Sequence, residues 1–194
     1  GHHVGSELGY ATPGAFAVHF DGHVSPMGTF GTYAMGIRRH LLEAFVQERI
    51  QLKVPETVRV DLTGKLPAGV MARDVFHHIV RELGPASCRF KVLEIGGSAL
   101  NDISIDGRQT MTCLAMCTGA ITAIMEPDQR ALDYALPRAR IQLDPVYSDS
   151  DAVYAARHEI DISNLEPIVV VPPNPSNTED LSAHQGKAVQ VGYL

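Results

Sequence analysis

The residues of this chain whose types suit chemistry fall in two groups. His2, Asp21 and His23 are of titratable types, Asp21 and His23 lying together within Asp21-Gly22-His23-Val24 and His2 near the start of the chain. Cys113 and Cys117 are spaced i,i+4, so on one helix they could turn toward a common metal. Two thiolates make only half of such a site, and Cys88 belongs to another element. Spacing alone also fits a surface histidine beside a loop carboxylate, and buried cysteines on an apolar helix. Gly28-Thr29-Phe30-Gly31 with Gly36 suggests a phosphate cradle, but the lysine and hydroxyl of a P-loop and the dinucleotide spacing are missing.

The elements that must position these residues follow from periodicity. Val58-Arg59-Val60-Asp61-Leu62 alternates as a half-buried strand should. Val75, Phe76, Ile79, Val80 and Leu83 recur at helical spacing over Ala72 to Leu83, and Gly84-Pro85 ends that helix. His77 and His78 fall on its polar side, which predicts solvated rings. Phe90 to Ile95 and Ile121 to Met125 read as strands. Ser104 to Gly119 reads as a helix, with Ser104 as N-cap and Asp106 near the positive end of its dipole. Its Met111, Leu114, Ala115 and Met116 predict burial nearly all round, with Cys113 and Cys117 as inert core residues.

Strand–helix alternation of this kind predicts an α/β unit with a mostly parallel sheet. Elsewhere the reading gives a strand over Ala15 to Phe20, helical material over Thr32 to Ile37 and Arg39 to Gln47, and a helix over Gln129 to Leu136. A further helix is expected near Ala152 to Arg157, with short strands at Ile168–Val171 and Ala188–Val191.

Composition narrows the function classes. At 194 residues, 45% hydrophobic and 20% charged, the chain has the make-up of an ordinary globular protein. A net charge of -6 argues against nonspecific nucleic-acid or anionic-membrane binding. No apolar run reaches the ~18 residues of a membrane span. Three cysteines cannot make a disulfide framework, which points to a reducing, cytoplasmic setting.

Several long blocks resemble one family in register. Val54-Pro55-Glu56-Thr57-Val58-Arg59-Val60-Asp61-Leu62-Thr63-Gly64-Lys65-Leu66-Pro67-Ala68-Gly69-Val70, then Ala72-Arg73-Asp74-Val75, Asp106-Gly107-Arg108-Gln109-Thr110-Met111 and Glu126-Pro127-Asp128, are similar to the aconitase superfamily. The 3-isopropylmalate dehydratase large subunits are the most similar branch. His3 to Gly14 resembles the run before that family's Asp-Ser-His-Thr motif, and Ile160 to Pro167 the stretch leading to its first cluster cysteine.

The resemblance implies a three-layer aconitase-type α/β fold, incomplete relative to the family. Residues 1–50 would close a first domain, 54–128 would form a βαβαβ second domain, and 129–194 would begin the next segment. It implies a hydro-lyase that removes and re-adds water on a small hydroxy di- or tricarboxylate. In intact members a 4Fe–4S cluster supplies Lewis-acid chemistry, but its cysteines would lie beyond this chain, so no cofactor is expected here. A small subunit or swivelling domain is the implied partner, and homo-oligomerisation would be another way to cover the apolar ends. Neither nucleic acid nor membrane is expected.

Carried over residue by residue, His2 (with His3 beside it) falls at the catalytic-site histidine, Asp21 at the aspartate that pairs with it, and His23 at the motif histidine. Three positions depart: Gly22 replaces the motif serine, Cys113 an asparagine, and Cys117 the glutamate that pairs with the motif histidine. Three readings follow: a fragment of a true hydro-lyase large subunit, a catalytically impaired scaffold or partner, or a cluster-free enzyme using His2 and Asp21 with Cys117.

Overall fold

The computed structural model describes residues 3–174 and 176–193. At its centre is β3 (Thr57–Thr63), whose Val58, Val60 and Leu62 are buried on one face while Arg59 and Asp61 occupy the other. β3 pairs in parallel with β4 (Val92–Gly96) on one side and β6 (Ala156–Asp161) on the other, and β4 pairs in parallel with β5 (Thr122–Met125). The strand order is therefore β5-β4-β3-β6.

The β3–β4 connection carries α3 (Ala72–Leu83) and the β4–β5 connection carries α4 (Ile105–Leu114). Val75, Phe76, Ile79 and Val80 of α3 and Met111 of α4 join Val60, Leu62, Leu93, Ile95 and Met125 in one core, so both helices cover the same sheet face. That is the outcome of two right-handed crossovers. Each fully buried side chain of α3 contributes at most ~1.5–3 kcal/mol, since the unfolded chain already hides part of it. Asp74 fixes the start of α3: one oxygen accepts the Met71 amide at 2.7 Å and the other the Ile168 amide at 3.0 Å. Ser104 caps α4 by accepting the Gly107 amide at 3.1 Å. After Leu114 the chain tightens into a 3-10 turn, Ala115–Thr118, rather than continuing as one α-helix to Gly119.

A second, smaller core holds the motif segment. β1 (Phe16–His19) and β2 (Tyr33–Gly36) form a two-stranded parallel sheet, and between them runs a 3-10 stretch, Gly22–Phe30. Phe30 is fully buried there and stacks on Tyr134 of α5 (Gln129–Ala135), ring centroids 5.0 Å apart. Thr29 and Thr112 hydroxyls meet at 3.1 Å, and the Thr122 hydroxyl donates to the Ala34 carbonyl. These bonds tie the motif stretch to α4 and β5. A short helix, α1 (Val4–Glu7), joins through Gln109 Nε2 donating to Ser6 Oγ at 3.1 Å. Outside both cores lie α2 (Leu41–Gln47) and a hairpin of β7 (Ile168–Val170) and β8 (Thr178–Asp180).

The structure corrects four local expectations. Thr32 to Ile37 contains strand β2, not helix, because pairing with β1 outweighs the helical preference of Ala34 and Met35. The helix expected near Ala152 to Arg157 is instead the approach to β6, which fills the open edge of β3. Ala188 to Val191 forms no strand. His77 is 4% exposed and the His78 side chain 14%, so neither ring is solvated. The core side of α3 is wider than the apolar stripe, and α4 and the β7–β8 hairpin cover its flanks.

Candidate active site

The Asp21–His23 loop is built by a local bonding pattern. Asp21 Oδ1 accepts the His23 amide at 3.1 Å, the cap of the 3-10 stretch, and lies 3.1 Å from His23 Nδ1. The Asp21 amide in turn donates to His19 Nδ1 at 3.0 Å. A carboxylate at Nδ1 keeps the proton on that nitrogen and makes Nε2 the basic one. Both side chains remain partly open, at 43% for His23 and 40% for Asp21. His2, the third candidate, lies outside the described residues.

Of the three positions where the resemblance implies a departure, Gly22 belongs to this loop and Cys113 lies near its Asp21. Gly22 faces the 3-10 turn that ends α4: a Cβ there would come no closer than 4.0 Å, to Met116 Cε. The Cys113 thiol is pushed up from its ordinary range by burial, and the nearby Asp21 carboxylate and Cys117 add to the effect. Burial also raises Cys117, partly offset by the Arg73 guanidinium. The sequence thus brings Asp21, Gly22 and His23 beside Cys113 and Met116, while Cys117 packs against the main core near Arg73.

Two details differ from expectation. Cys113 and Cys117 are half-buried at the margin of the core, and Met116 between them is 42% exposed, so this turn is not buried all round. Arg73 stands in one of the blocks that carry the resemblance, but the sequence did not mark it as a site residue; its guanidinium acts on Cys117.

A raised thiol pKa leaves little thiolate at neutral pH. Cys113 and Cys117 should therefore react slowly with an alkylating reagent at pH 7, and the fully buried Cys88 only after unfolding. Mass-spectrometric mapping checks this; rapid labelling of Cys117 that His23→Ala slows would mean a poised thiol instead.

Room at Gly22 makes a second expectation. Gly22→Ser should fold with a stability change within ~0.5 kcal/mol. Gly36 is the opposite case, because its Cβ would sit 2.8 Å from the Gly22 backbone. Gly36→Ala should cost ~1–3 kcal/mol by forcing β2 off the motif loop, and thermal unfolding distinguishes the two.

The aconitase family profile (aconitate hydratase) matches residues 1–191. The chain belongs to the aconitase family. It is 34% identical over 194 residues to a 3-isopropylmalate dehydratase large subunit of Methanopyrus kandleri, covering all of this chain and 46% of that relative. A probable methanogen homoaconitase large subunit of Methanosarcina mazei is 33% identical over 194 residues, again all of this chain and 50% of the relative. The chloroplastic 3-isopropylmalate dehydratase large subunit of Arabidopsis thaliana is 32% identical over 174 residues, 89% of this chain and 34% of the relative. The chain spans about half the length of the first two relatives, or less.

Aconitase-family enzymes use a 4Fe–4S cluster, whose binding needs several cysteine thiolates directed at one point. This chain's cysteines do not fit one. Cys88 is sealed in the main core, Cys117 packs against its edge, Cys113 lies near Asp21, and no group of three or more His, Cys, Asp or Glu among the described residues could hold a metal ion. Among the described residues no helix is long and apolar enough to cross a membrane.

Proposed function

We propose that this chain supplies the acid–base side of a hydro-lyase active site for a hydroxy di- or tricarboxylate, and that it is inactive alone. The observation that carries this is the Asp21–His23 contact, held at the cap of a 3-10 stretch beside the end of α4. Hydroxide leaves poorly, so dehydration needs a proton delivered to the departing oxygen. With Asp21 holding one proton on Nδ1, Nε2 of a doubly protonated His23 delivers its own proton to the departing hydroxyl, which leaves as water, and Nε2 takes a proton back from water on rehydration. His2, if it pairs with Asp21 as in the family, would share the same carboxylate. The groups that bind the substrate carboxylates, and metal polarisation, would come from a partner small subunit or from further segments of the same fold. The substrates named for the relatives, 3-isopropylmalate and homoaconitate-type acids, define the class.

Gly22, Cys113 and Cys117 support a second reading, a catalytically impaired scaffold, because the resemblance puts a hydroxyl, an amide and a carboxylate at those three positions. A cluster-free enzyme with Cys117 as its reactive group is disfavoured by the raised thiol. NMR titration of the histidine rings with 3-isopropylmalate and malate tests the proposal. A saturable shift of His23, lost in Asp21→Ala, is expected without turnover. No shift with any hydroxy-dicarboxylate, or turnover by this chain alone, would overturn it.

A further inference from the structure

The β7–β8 hairpin rests on the outer flank of α3 through two polar contacts. Asp74 Oδ1 accepts the Ile168 amide at 3.0 Å and Arg81 Nη1 donates to Asp180 Oδ1 at 2.7 Å, while the Leu181 amide closes the hairpin itself by donating to the Pro167 carbonyl at 2.8 Å. The second arm of the Arg81 guanidinium is held 2.9 Å from His78 Nδ1. A guanidinium has donors only, so His78 Nδ1 must act as acceptor, which an imidazole can do only when neutral. The proton then sits on Nε2, 3.8 Å from the Glu82 carboxylate. The geometry of the contact therefore fixes the protonation state of His78. His184 repeats the pattern at the far end of the hairpin: its Nδ1 lies 2.9 Å from Lys187 Nζ and its Nε2 2.7 Å from Glu179.

We infer that the hairpin is an acid-released clasp, in which neutral His78 aims Arg81 at Asp180 and a protonated His78 drives Arg81 away and frees β7 and β8 from α3. The charged groups facing His78 are Arg81 and Glu82 from its own helix and Asp180 from β8. Burial first, then the Arg81 charge, hold His78 below its ordinary range, while Glu82 and Asp180 pull the other way without prevailing. A histidine whose pKa is lowered in the closed state favours that state above the ordinary value of ~6.5. Closure is then lost as pH falls from there through the lowered value. The main core is not expected to open with it, because the four core residues of α3 face away from the hairpin toward the sheet.

Hydrogen exchange read as protection factors, so that the intrinsic pH dependence cancels, tests the clasp. Between pH 7.5 and 5.5 the amides of Val169 to Asp180 should lose protection by ~5-fold or more, the factor that roughly 1 kcal/mol represents, while Val75 to Val80 keep theirs. His78→Gln, whose side-chain oxygen accepts from Arg81 without titrating, should stay protected at both pH values. Arg81→Ala should be weakly protected at both. Unchanged protection in the unmodified protein, which is what a direct His78–Asp180 pair would give, overturns the clasp. An equal loss in His78→Gln overturns it too. If His78→Gln does not fold, a pH-dependent loss persisting in Arg81→Ala has the same force.

Discussion

Arg59→Met is expected to destabilise the fold by ~3–5 kcal/mol, the range for breaking a buried ion pair from one side. Arg59 lies mid-strand on β3, 9% exposed, and its register neighbour across the sheet is Glu94. Its guanidinium bonds Glu94, reaches Asp61 at 2.7 Å and lies 3.7 Å from Glu126. Most of the cost comes from the carboxylates left behind. Asp61 would keep Arg157 at 2.8 Å, but Glu94 would keep only the neutral hydroxyls of Ser148 at 2.9 Å and Tyr154 at 3.5 Å. Gly96 belongs to the same arrangement, since a Cβ there would meet Arg59 Nη2 at 2.1 Å.

The same network sets an acid limb. Burial alone would raise the Asp61 carboxyl, but the Arg59 hydrogen bond and charge, followed by those of Arg157, bring it below its ordinary value. Its contribution is present above the ordinary carboxylate pKa of ~3.9 and fades as pH falls through the lowered value. Arg59→Met should therefore lose most at neutral pH and flatten that limb. Urea unfolding at pH 7 and pH 3 measures both. Adding Glu94→Leu should restore part of the loss, because it removes the stranded charge; no restoration would mean the arginine's packing is what matters.

Arg108→Leu is the second large effect, again ~3–5 kcal/mol. Arg108 is 1% exposed and donates to the Leu100 carbonyl at 2.8 Å, the Ile103 carbonyl at 3.2 Å and Asp128 Oδ2 at 2.6 Å. Asp128 also caps α5, accepting the Ala131 amide at 2.9 Å. Losing Arg108 leaves the Leu100 carbonyl only the Ile103 amide and the Ile103 carbonyl only Arg130, removes the cation from Asp128, and slackens α5, which covers Phe30 beneath the motif loop. Arg108→Lys should recover little, because one ammonium cannot reach three acceptors in a fork geometry. Hydrogen exchange in α5 together with thermal unfolding would register this. A variant within 1 kcal/mol of the unmodified protein would show that water replaces the guanidinium, contrary to its 1% exposure.

The stretch from Val58 to Glu126 was legible because each element there buries the face its periodicity marks, and because Ser104 and Gly84 sit at helix ends where their chemistry is needed. β6 was not. Ala155 and Ala156 favour helix locally, and only the vacant edge of β3, almost a hundred residues earlier, makes that segment a strand. β2 failed for the same reason, with Ala34 and Met35 held extended by β1. At the site, motif resemblance singled out Asp21 and His23 but assigned them other partners, His2 and position 117, so their mutual contact was not foreseen. Arg73 and the half-burial of Cys113 and Cys117 were not foreseen either, because they depend on how α3 and the end of α4 pack. The His77 and His78 reading failed because a helical wheel does not show what covers the flanks.

The most direct test of the central claim, that this chain carries an acid–base loop but no cluster-holding set, is anaerobic reconstitution with iron and sulfide. Desalted protein should retain no thiolate-to-iron charge-transfer absorbance in the visible, and all three cysteines should be recovered as thiols after unfolding. A stable brown chromophore bound in stoichiometric amount would contradict the account.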